Sequence, residues 1–387
     1  MTPRSAKLLV PSCVLGLALA ACGGSGEGGA NGSGGAGVAG QSGTAGMTGT
    51  GGKTGGGGMQ GVGGATGTGG AGGANTGDPL VGWAAQGCTV GAVTTTTGGG
   101  TMTAMPVTTL SALNAAAAGT AARVIQFSGS LSGTVTVGSN KTIIGAAGAK
   151  ITGHISLDRS SNVILQNFTV VGLNCSDVPS NGDCQDGADA ITVNGSSHHI
   201  WIDHLDVSDG SDGNLDVTDG SDCVTISWTK FHYSASRVAG YTGEVHHFSN
   251  LVGGDDAATG DAGHLRITWH HDWWSDHVVE RQPRVRFGQN HLFNDLWTSS
   301  GDNYCVAAAV NSNVLVENSA FVNVKDTMDT TNYSNSATIA LMRNNVFSGT
   351  AAASANKGTG VFTPPYPYTA DDASTVQAAV MAGAGPH

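Results

Sequence analysis

The stretch Asn162-Val-Ile-Leu-Gln-Asn-Phe-Thr-Val170 alternates apolar side chains, breaks the alternation at an Asn, and resumes on a second apolar run. The same shape returns in His199-Ile-Trp-Ile-Asp-His-Leu-Asp-Val207 and in Cys223-Val-Thr-Ile-Ser-Trp-Thr-Lys-Phe231. It returns again in Leu265-Arg-Ile-Thr-Trp-His270, Asn313-Val-Leu-Val-Glu-Asn-Ser-Ala-Phe321 and Thr338-Ile-Ala-Leu-Met-Arg-Asn-Asn-Val-Phe347. Alternation with period two marks strands with one buried face. A unit of short strands without a helix cannot bury its apolar face alone, and stacking on its neighbours solves this. The expected fold is therefore all-β, a solenoid of single-chain coils forming a parallel β-helix. Asn167, Asn318 and Asn344 are expected to form a ladder at one bend. A sandwich also has many short strands, but it does not require one motif with an Asn at constant phase. Helical periodicity is confined to Leu110–Ala118 and Ala373–Met381; the first should cap the open N-terminal end.

At the N-terminus, Arg4 and Lys7 precede an apolar run from Leu8 to Ala20, and Leu19-Ala20-Ala21-Cys22 has the small residues of a cleavage site. The run is too short for a stable membrane span. Residues 1–21 are thus a signal peptide, and a cysteine directly after Ala-Ala resembles the bacterial lipobox. That resemblance implies lipid attachment at Cys22, and Gly23 in place of Asp favours the outer membrane. An ordinary secretory signal with a chance cysteine is the alternative. Residues 22–77 are mostly Gly, Ala, Ser and Thr, a flexible linker with a reach of roughly 40 Å. Residues 78–387 remain as the working domain, expected to be monomeric.

A formal charge of −12 argues against nucleic acid as a partner. Of seven cysteines, Cys13 goes with the signal and Cys22 with the lipid. Cys175 and Cys184 bracket a polar loop with Pro179 and Gly182 and form the first disulfide candidate in an exported chain. Cys88 with Cys305 is a second. Cys223, at an alternating position among apolar neighbours, reads as a buried free thiol.

Two clusters carry chemistry. In Glu280-Arg-Gln-Pro-Arg-Val-Arg-Phe-Gly288, Val285 and Phe287 alternate with Arg284 and Arg286, as in a strand with apolar residues inward and guanidiniums outward. Pro283 suits the strand's start. Such a row grips carboxylates or phosphates, or else is a solvated basic edge. The second cluster is acidic: Asp189 in Gly187-Ala-Asp-Ala-Ile-Thr-Val193, with Asp212 and Asp216 in Asp212-Gly-Asn-Leu-Asp216. Were these on adjacent coils, a stacking distance of about 4.8 Å would bring them together. Oxygen-only ligands select a hard cation, and Ca²⁺ tolerates irregular geometry best. Asp-Gly pairs are also ordinary turn formers. His246-His247 and His270-His271 suggest zinc at first sight, but adjacent strand residues face opposite ways and are better read as structural. Trp273-Trp274 could stack on a sugar or pack in the core.

Trp201-Ile-Asp-His204, Asp212-Gly-Asn-Leu-Asp216 followed by Val224-Thr-Ile-Ser227, His270-His-Asp-Trp-Trp274 and Arg281-Gln-Pro-Arg-Val-Arg-Phe-Gly288 occur in the order seen in one family. Together they resemble the extracellular pectate lyases of polysaccharide lyase family 1, from Val81-Gly-Trp83 to Val361-Phe-Thr-Pro-Pro-Tyr366. The resemblance implies a right-handed parallel β-helix and β-elimination on polygalacturonate, an acidic plant cell-wall polymer. It implies Asp189, Asp212 and Asp216 as ligands of Ca²⁺ and Arg281 as the base that takes the C5 proton. It implies Arg286 as a substrate-carboxylate binder, leaves Arg284 between substrate contact and a structural ion pair, and gives His204 a structural role. A guanidinium normally stays protonated, so activity should rise toward alkaline pH. The family's usual lysine is missing from His246-His-Phe-Ser-Asn-Leu-Val-Gly253. Phe248 falls at its place, and His247 or Arg237 could substitute in binding substrate. The resulting expectation is a secreted or outer-membrane-anchored calcium-dependent pectate lyase. The competing readings are a pectin lyase on methyl-esterified polymer, a β-helical glycoside hydrolase, and a noncatalytic polysaccharide-binding solenoid.

Overall fold

The repeated strand units stack as coils of a parallel β-helix in the computed structural model, which describes residues 78–172, 189–234, 246–350 and 356–387. Among the described residues twenty-three strands form one continuous ladder, and the strand pairs are parallel. One face is built from Ser161–Val171, His198–Ser208, Asp222–Ser227, Ile267–His270, Gln289–Phe293, Asn313–Glu317 and Ile339–Arg343. A second contains Lys230–His232, Trp273–Trp274, Leu296–Trp297, Ala320–Val322 and Val346–Ser348. The third stacks Ile191–Asn194, Leu215–Val217, Leu251–Val252, Arg284–Val285, Val306–Ala308 and Met328–Asp329.

Register makes the interior. Leu165, Ile202, Ile226, Trp269, Leu292, Val316 and Met342 lie one above another, and all are buried. On the second face Phe231, Trp274, Trp297, Phe321 and Phe347 form an aromatic stack with centroids 5.6, 5.0, 4.3 and 5.5 Å apart. Trp274 is thus a core residue. Its neighbour Trp273 is half-buried, with Lys230 Nζ 4.7 Å from its ring centre.

The break residue of the repeat occupies one bend. Asn167, His204, Trp228, His271, Asn294, Asn318 and Asn344 all have φ between 48° and 64°, a left-handed conformation that Asn tolerates better than most residues. Asn294, Asn318 and Asn344 are neighbours in this column, whereas Asn167 is separated from them by His204, Trp228 and His271. His204 and Trp228 stack at 5.8 Å, and Trp228 and His271 at 4.2 Å. His204 Nδ1 also lies 2.9 Å from Asp203, consistent with a structural histidine.

Helix α1, Leu110–Ala117, is capped by the Thr109 hydroxyl, which accepts the Ala112 N–H. It buries Leu113, Ala116 and Ala117 against the first coils. Helix α2, Ala373–Gly383, starts at Asp372 and packs Val376 and Val380 on Leu296 and Ala320. Both coincide with the periodic segments to within two residues. No helix among the described residues is long and apolar enough to cross a membrane.

The cysteine expectations need correction. Cys88 is bonded to Cys223, with Cα atoms 5.7 Å apart, and Cys305 is the buried free thiol. Cys223 has φ 56°; this left-handed residue breaks the strand alternation, so its sulfur joins an outer cluster with Trp83, Cys88 and Tyr366. The candidate pair Cys175 and Cys184, the lipidation site Cys22 and residues 1–77 lie outside the described residues.

Candidate active site

The third face carries both chemical clusters. Asp189 lies two residues before the strand Ile191–Asn194, whose Ile191, Thr192 and Val193 pair with Leu215, Asp216 and Val217, so Asp216 lies beside Thr192. The Ala190 N–H donates to the Gly213 carbonyl at 2.9 Å. The expected adjacency of the two acidic segments is present. On the next coils Val217 pairs with Val252, and Leu251 with Arg284.

Asp189 and Asp216 form an inner pair. The Thr192 hydroxyl donates to Asp189 Oδ2 at 3.1 Å, while Asp189 Oδ1 is buried and makes no hydrogen bond. Asp216 is 8% exposed and accepts the Leu251 N–H at 2.9 Å. Between them the chain passes as Gly213. A β-carbon there would lie 2.8 Å from Asp189 Oδ1 and 3.0 Å from Asp216 Oδ1, so any other residue would intrude between the two carboxylates. Burial, then the charge of Asp212, raises the Asp189 carboxyl to about 7. Burial, then Asp189, pushes Asp216 well above the usual carboxylate range. Two buried acids opposing each other's ionisation is what an oxygen-ligated cation would relieve.

Asp212 sits outward, 62% exposed, with His246 Nε2 3.4 Å from Oδ1 and 2.9 Å from its carbonyl oxygen. The His246 hydrogen bond holds its carboxyl below the ordinary value. The three acids do not close into a cage with one oxygen from each mutually within 4.8 Å. Among the described residues the one histidine, cysteine or acid cluster that does so is Cys88, Asp222 and Cys223, whose sulfurs are bonded to each other. The acidic set is an open cradle, with two deep carboxylates and one at the rim.

The arginine stretch is shorter as a strand than its alternation suggests, Arg284–Val285 alone. Val285 and Phe287 do point into the core. The arginines differ sharply. Arg284 donates from Nη2 to Glu280 at 3.0 Å and from Nε to the Tyr304 hydroxyl at 2.9 Å. Its guanidinium also lies 3.9 Å from the Tyr333 ring centre. Arg286 donates from Nε to Asp256 at 2.5 Å and from Nη1 to the Gly253 carbonyl at 2.8 Å. Arg281 stands in the left-handed region, φ 59°, and its Nε is buried without a hydrogen bond. Its charge acts on Asp189, Asp212 and Asp216 alike.

His247 does not belong with these residues. It is 4% exposed, its ring stacks on Tyr233 at 4.5 Å, and its Nδ1 lies 3.0 Å from the His277 carbonyl. His247 is turned inward, and its neighbour His246 lies at the acids. The pairing of two histidines with opposite faces was visible in the sequence, but which one faces the acids was not. Arg237 lies outside the described residues.

A model of the pectate lyase family matches residues 71–386. A probable pectate lyase B of Aspergillus terreus is 34% identical over 260 residues, 63% of this chain and 71% of that protein. Pectate lyase B of Colletotrichum gloeosporioides is 33% identical over 311 residues, 77% of this chain and 85% of that protein. Among solved structures, one described as a pectate lyase bound to hexasaccharide has a TM-score of 0.63 and 22% identity, over 79% of this chain and 96% of that one. Another, concerned with substrate specificity and an anti β-elimination mechanism of pectate lyase, has the same score, identity and coverage.

Proposed function

We infer, from a chain that belongs to the pectate lyase family and is therefore a polysaccharide lyase, that it cleaves α-1,4-linked polygalacturonate by calcium-dependent β-elimination, with Arg281 as the base. The observation that carries the reading is the opposition of the Asp189 and Asp216 pair to an arginine whose Nε has no partner. Ca²⁺ held by Asp189, Asp216 and the rim residue Asp212 would neutralise the uronate carboxylate and acidify the adjacent C5–H.

In the reaction, the C5–H bond breaks, its electron pair becomes the C4–C5 double bond, and the C4–O4 bond breaks with its pair leaving on O4, which takes a proton from solvent water. Arg281 receives the C5 proton in its neutral form, a form scarce at neutral pH. Its left-handed backbone fixes the angle at which the side chain leaves the coil. Arg286 binds a substrate carboxylate through the guanidinium hydrogens not used by Asp256 and Gly253. Arg284 supports the coil beneath them through Glu280, Tyr304 and Tyr333.

Retention of the acidic cradle favours unesterified polymer over a methyl-esterified one, since an ester neither needs nor binds a cation in the same way. The signal segment and Cys22 support an extracellular protein, lipid-anchored at the outer membrane. The deciding experiment measures ultraviolet absorbance of unsaturated product from polygalacturonate, with chelator and then with Ca²⁺ restored. Product that persists in chelator would overturn the calcium requirement. Binding without product would leave a noncatalytic solenoid.

A further inference from the structure

Phe248 stands at the place where the sequence lacks the family's lysine, and it lies directly under Arg281. The backbone brings them together: Phe248 bridges to Glu280 in parallel register, and the Ser249 and Asn250 N–H groups donate to the carbonyls of Glu280 and Arg281 at 2.9 and 2.6 Å. The Arg281 guanidinium carbon is 4.8 Å from the centre of the Phe248 ring. That ring is 8% exposed, so its face is given over to protein contacts. The His246 ring also approaches it at 4.2 Å, itself held by Asp212.

The three arginines of the segment are thus supported in three ways. Arg284 has a carboxylate, a phenol hydroxyl and an aromatic face, and Arg286 a carboxylate and a carbonyl. Arg281 has an aromatic face, and its Nε has no acceptor. A carboxylate at that spot would hold the guanidinium by its N–H groups and fix its charge. A lysine there would repel it. A phenyl ring instead attracts the guanidinium through its face while leaving every N–H unengaged.

We propose that Phe248 is the positioning residue of Arg281: its ring carries the guanidinium from below and aims its nitrogen atoms, unpaired, at the groove beside Asp189 and Asp216. The same ring touches His246, whose imidazole is held by Asp212. The effect is orientational, and orientation of a reacting group acts on kcat more than on substrate binding. This inference rests on Arg281 being the base, and its test keeps the two questions apart.

Steady-state kinetics on polygalacturonate at saturating Ca²⁺ would compare wild type, Phe248→Leu, Phe248→Tyr, Arg281→Ala and the Phe248→Leu/Arg281→Ala double variant, with melting temperature measured for each. The expected result is a kcat lowered on the order of ten- to thirtyfold in Phe248→Leu, with KM within about twofold. Phe248→Tyr, which keeps the aromatic face, should recover kcat to within about threefold. In the Arg281→Ala background the Leu substitution should change the residual rate no further. If Arg281→Ala itself turns over normally, the base assignment falls and this inference with it. If Arg281→Ala is inactive but Phe248→Leu keeps wild-type kcat, the seat alone is overturned. A Phe248→Leu that loses melting temperature, raises KM and is not recovered by Tyr also overturns it, by making the ring a packing residue.

Discussion

Asp189 with Asp216, and Asp272 with Asp295, are two pairs of buried acids in the same β-helix. In each pair burial raises the carboxyls above their ordinary range; Asp189 adds to the rise of Asp216, and Asp295 to that of Asp272. Their surroundings differ. Asp272 and Asp295 are rungs of a side-chain ladder behind the outer bend: the Thr229 N–H donates to Asp272 at 2.8 Å, and the Asp272 N–H to Asp295 at 2.9 Å. The Asp295 N–H in turn donates to the Ser319 hydroxyl oxygen at 3.0 Å. None of the groups acting on these two acids is an arginine or lysine. Asp189 and Asp216 feel the charge of Arg281, and Gly213 keeps the space between the two carboxylates open. A perturbed acid therefore reports burial; what stands opposite it decides whether it serves chemistry or architecture.

The largest separation between the pairs should appear in turnover. Arg281→Lys keeps the charge but loses the planar fork, and kcat should fall on the order of 10³-fold. Asp216→Asn should fall comparably, whereas Asp272→Asn, an isosteric change distant from the groove, should keep turnover within about threefold. Equal losses in the two aspartate variants, measured in the same assay, would erase the distinction.

Metal linkage is the next measure. At a Ca²⁺ concentration of 100 times Kd, binding to the folded state alone adds about 2.7 kcal/mol, visible as a rise in melting temperature over the chelated protein. Asp272→Asn should retain this rise and Asp216→Asn should lose it. Gly213→Ala is the sharper probe, since it removes no ligand and only inserts a methyl group between Asp189 and Asp216. It should weaken calcium binding about ten- to a hundredfold, read by calorimetry, and leave the chelated protein folded. Unchanged affinity would mean that the cation does not lie between those two acids.

Much of this was legible in the chain. Strand phase in Asn162–Val170 and its repeats was enough for a solenoid, because a stacked coil forces each side chain into a column with its equivalents. The adjacency of Asp189 to Asp216 followed from the same stacking. The bend column was read too narrowly, since His204, Trp228 and His271 hold the left-handed positions that Asn holds elsewhere. A left-handed residue also accounts for Cys223, whose φ reverses the facing that alternation predicts. The roles of the arginines were illegible for another reason: Glu280 is four residues from Arg284, but Tyr304, Tyr333 and Asp256 come from other coils or loops, and spacing carries no trace of them.

The smallest expected effect separates the pairs by pH. An acid raised in the folded state keeps a proton that the unfolded chain has already lost, so stability is fully present below the unfolded value and declines as pH rises toward the folded one. For Asp189 that window runs from its ordinary 3.8 to about 7. Across it each retained proton costs about 1.4 kcal/mol per pH unit. For Asp272 and Asp295 the decline begins in the same ordinary carboxylate range and has the same sign. Calcium should split the two contributions. Bound Ca²⁺ favours the ionised forms of Asp189 and Asp216 and flattens their share of the slope, while leaving the interior pair untouched. Urea unfolding at pH 5 and pH 8 should therefore show a slope that calcium reduces but does not abolish, and Asp272→Asn should reduce the part that remains. A slope abolished by calcium alone would mean that the interior pair is ionised in the folded state, and that its ladder of backbone N–H groups, with no cation present, is enough to hold two charges inside the helix.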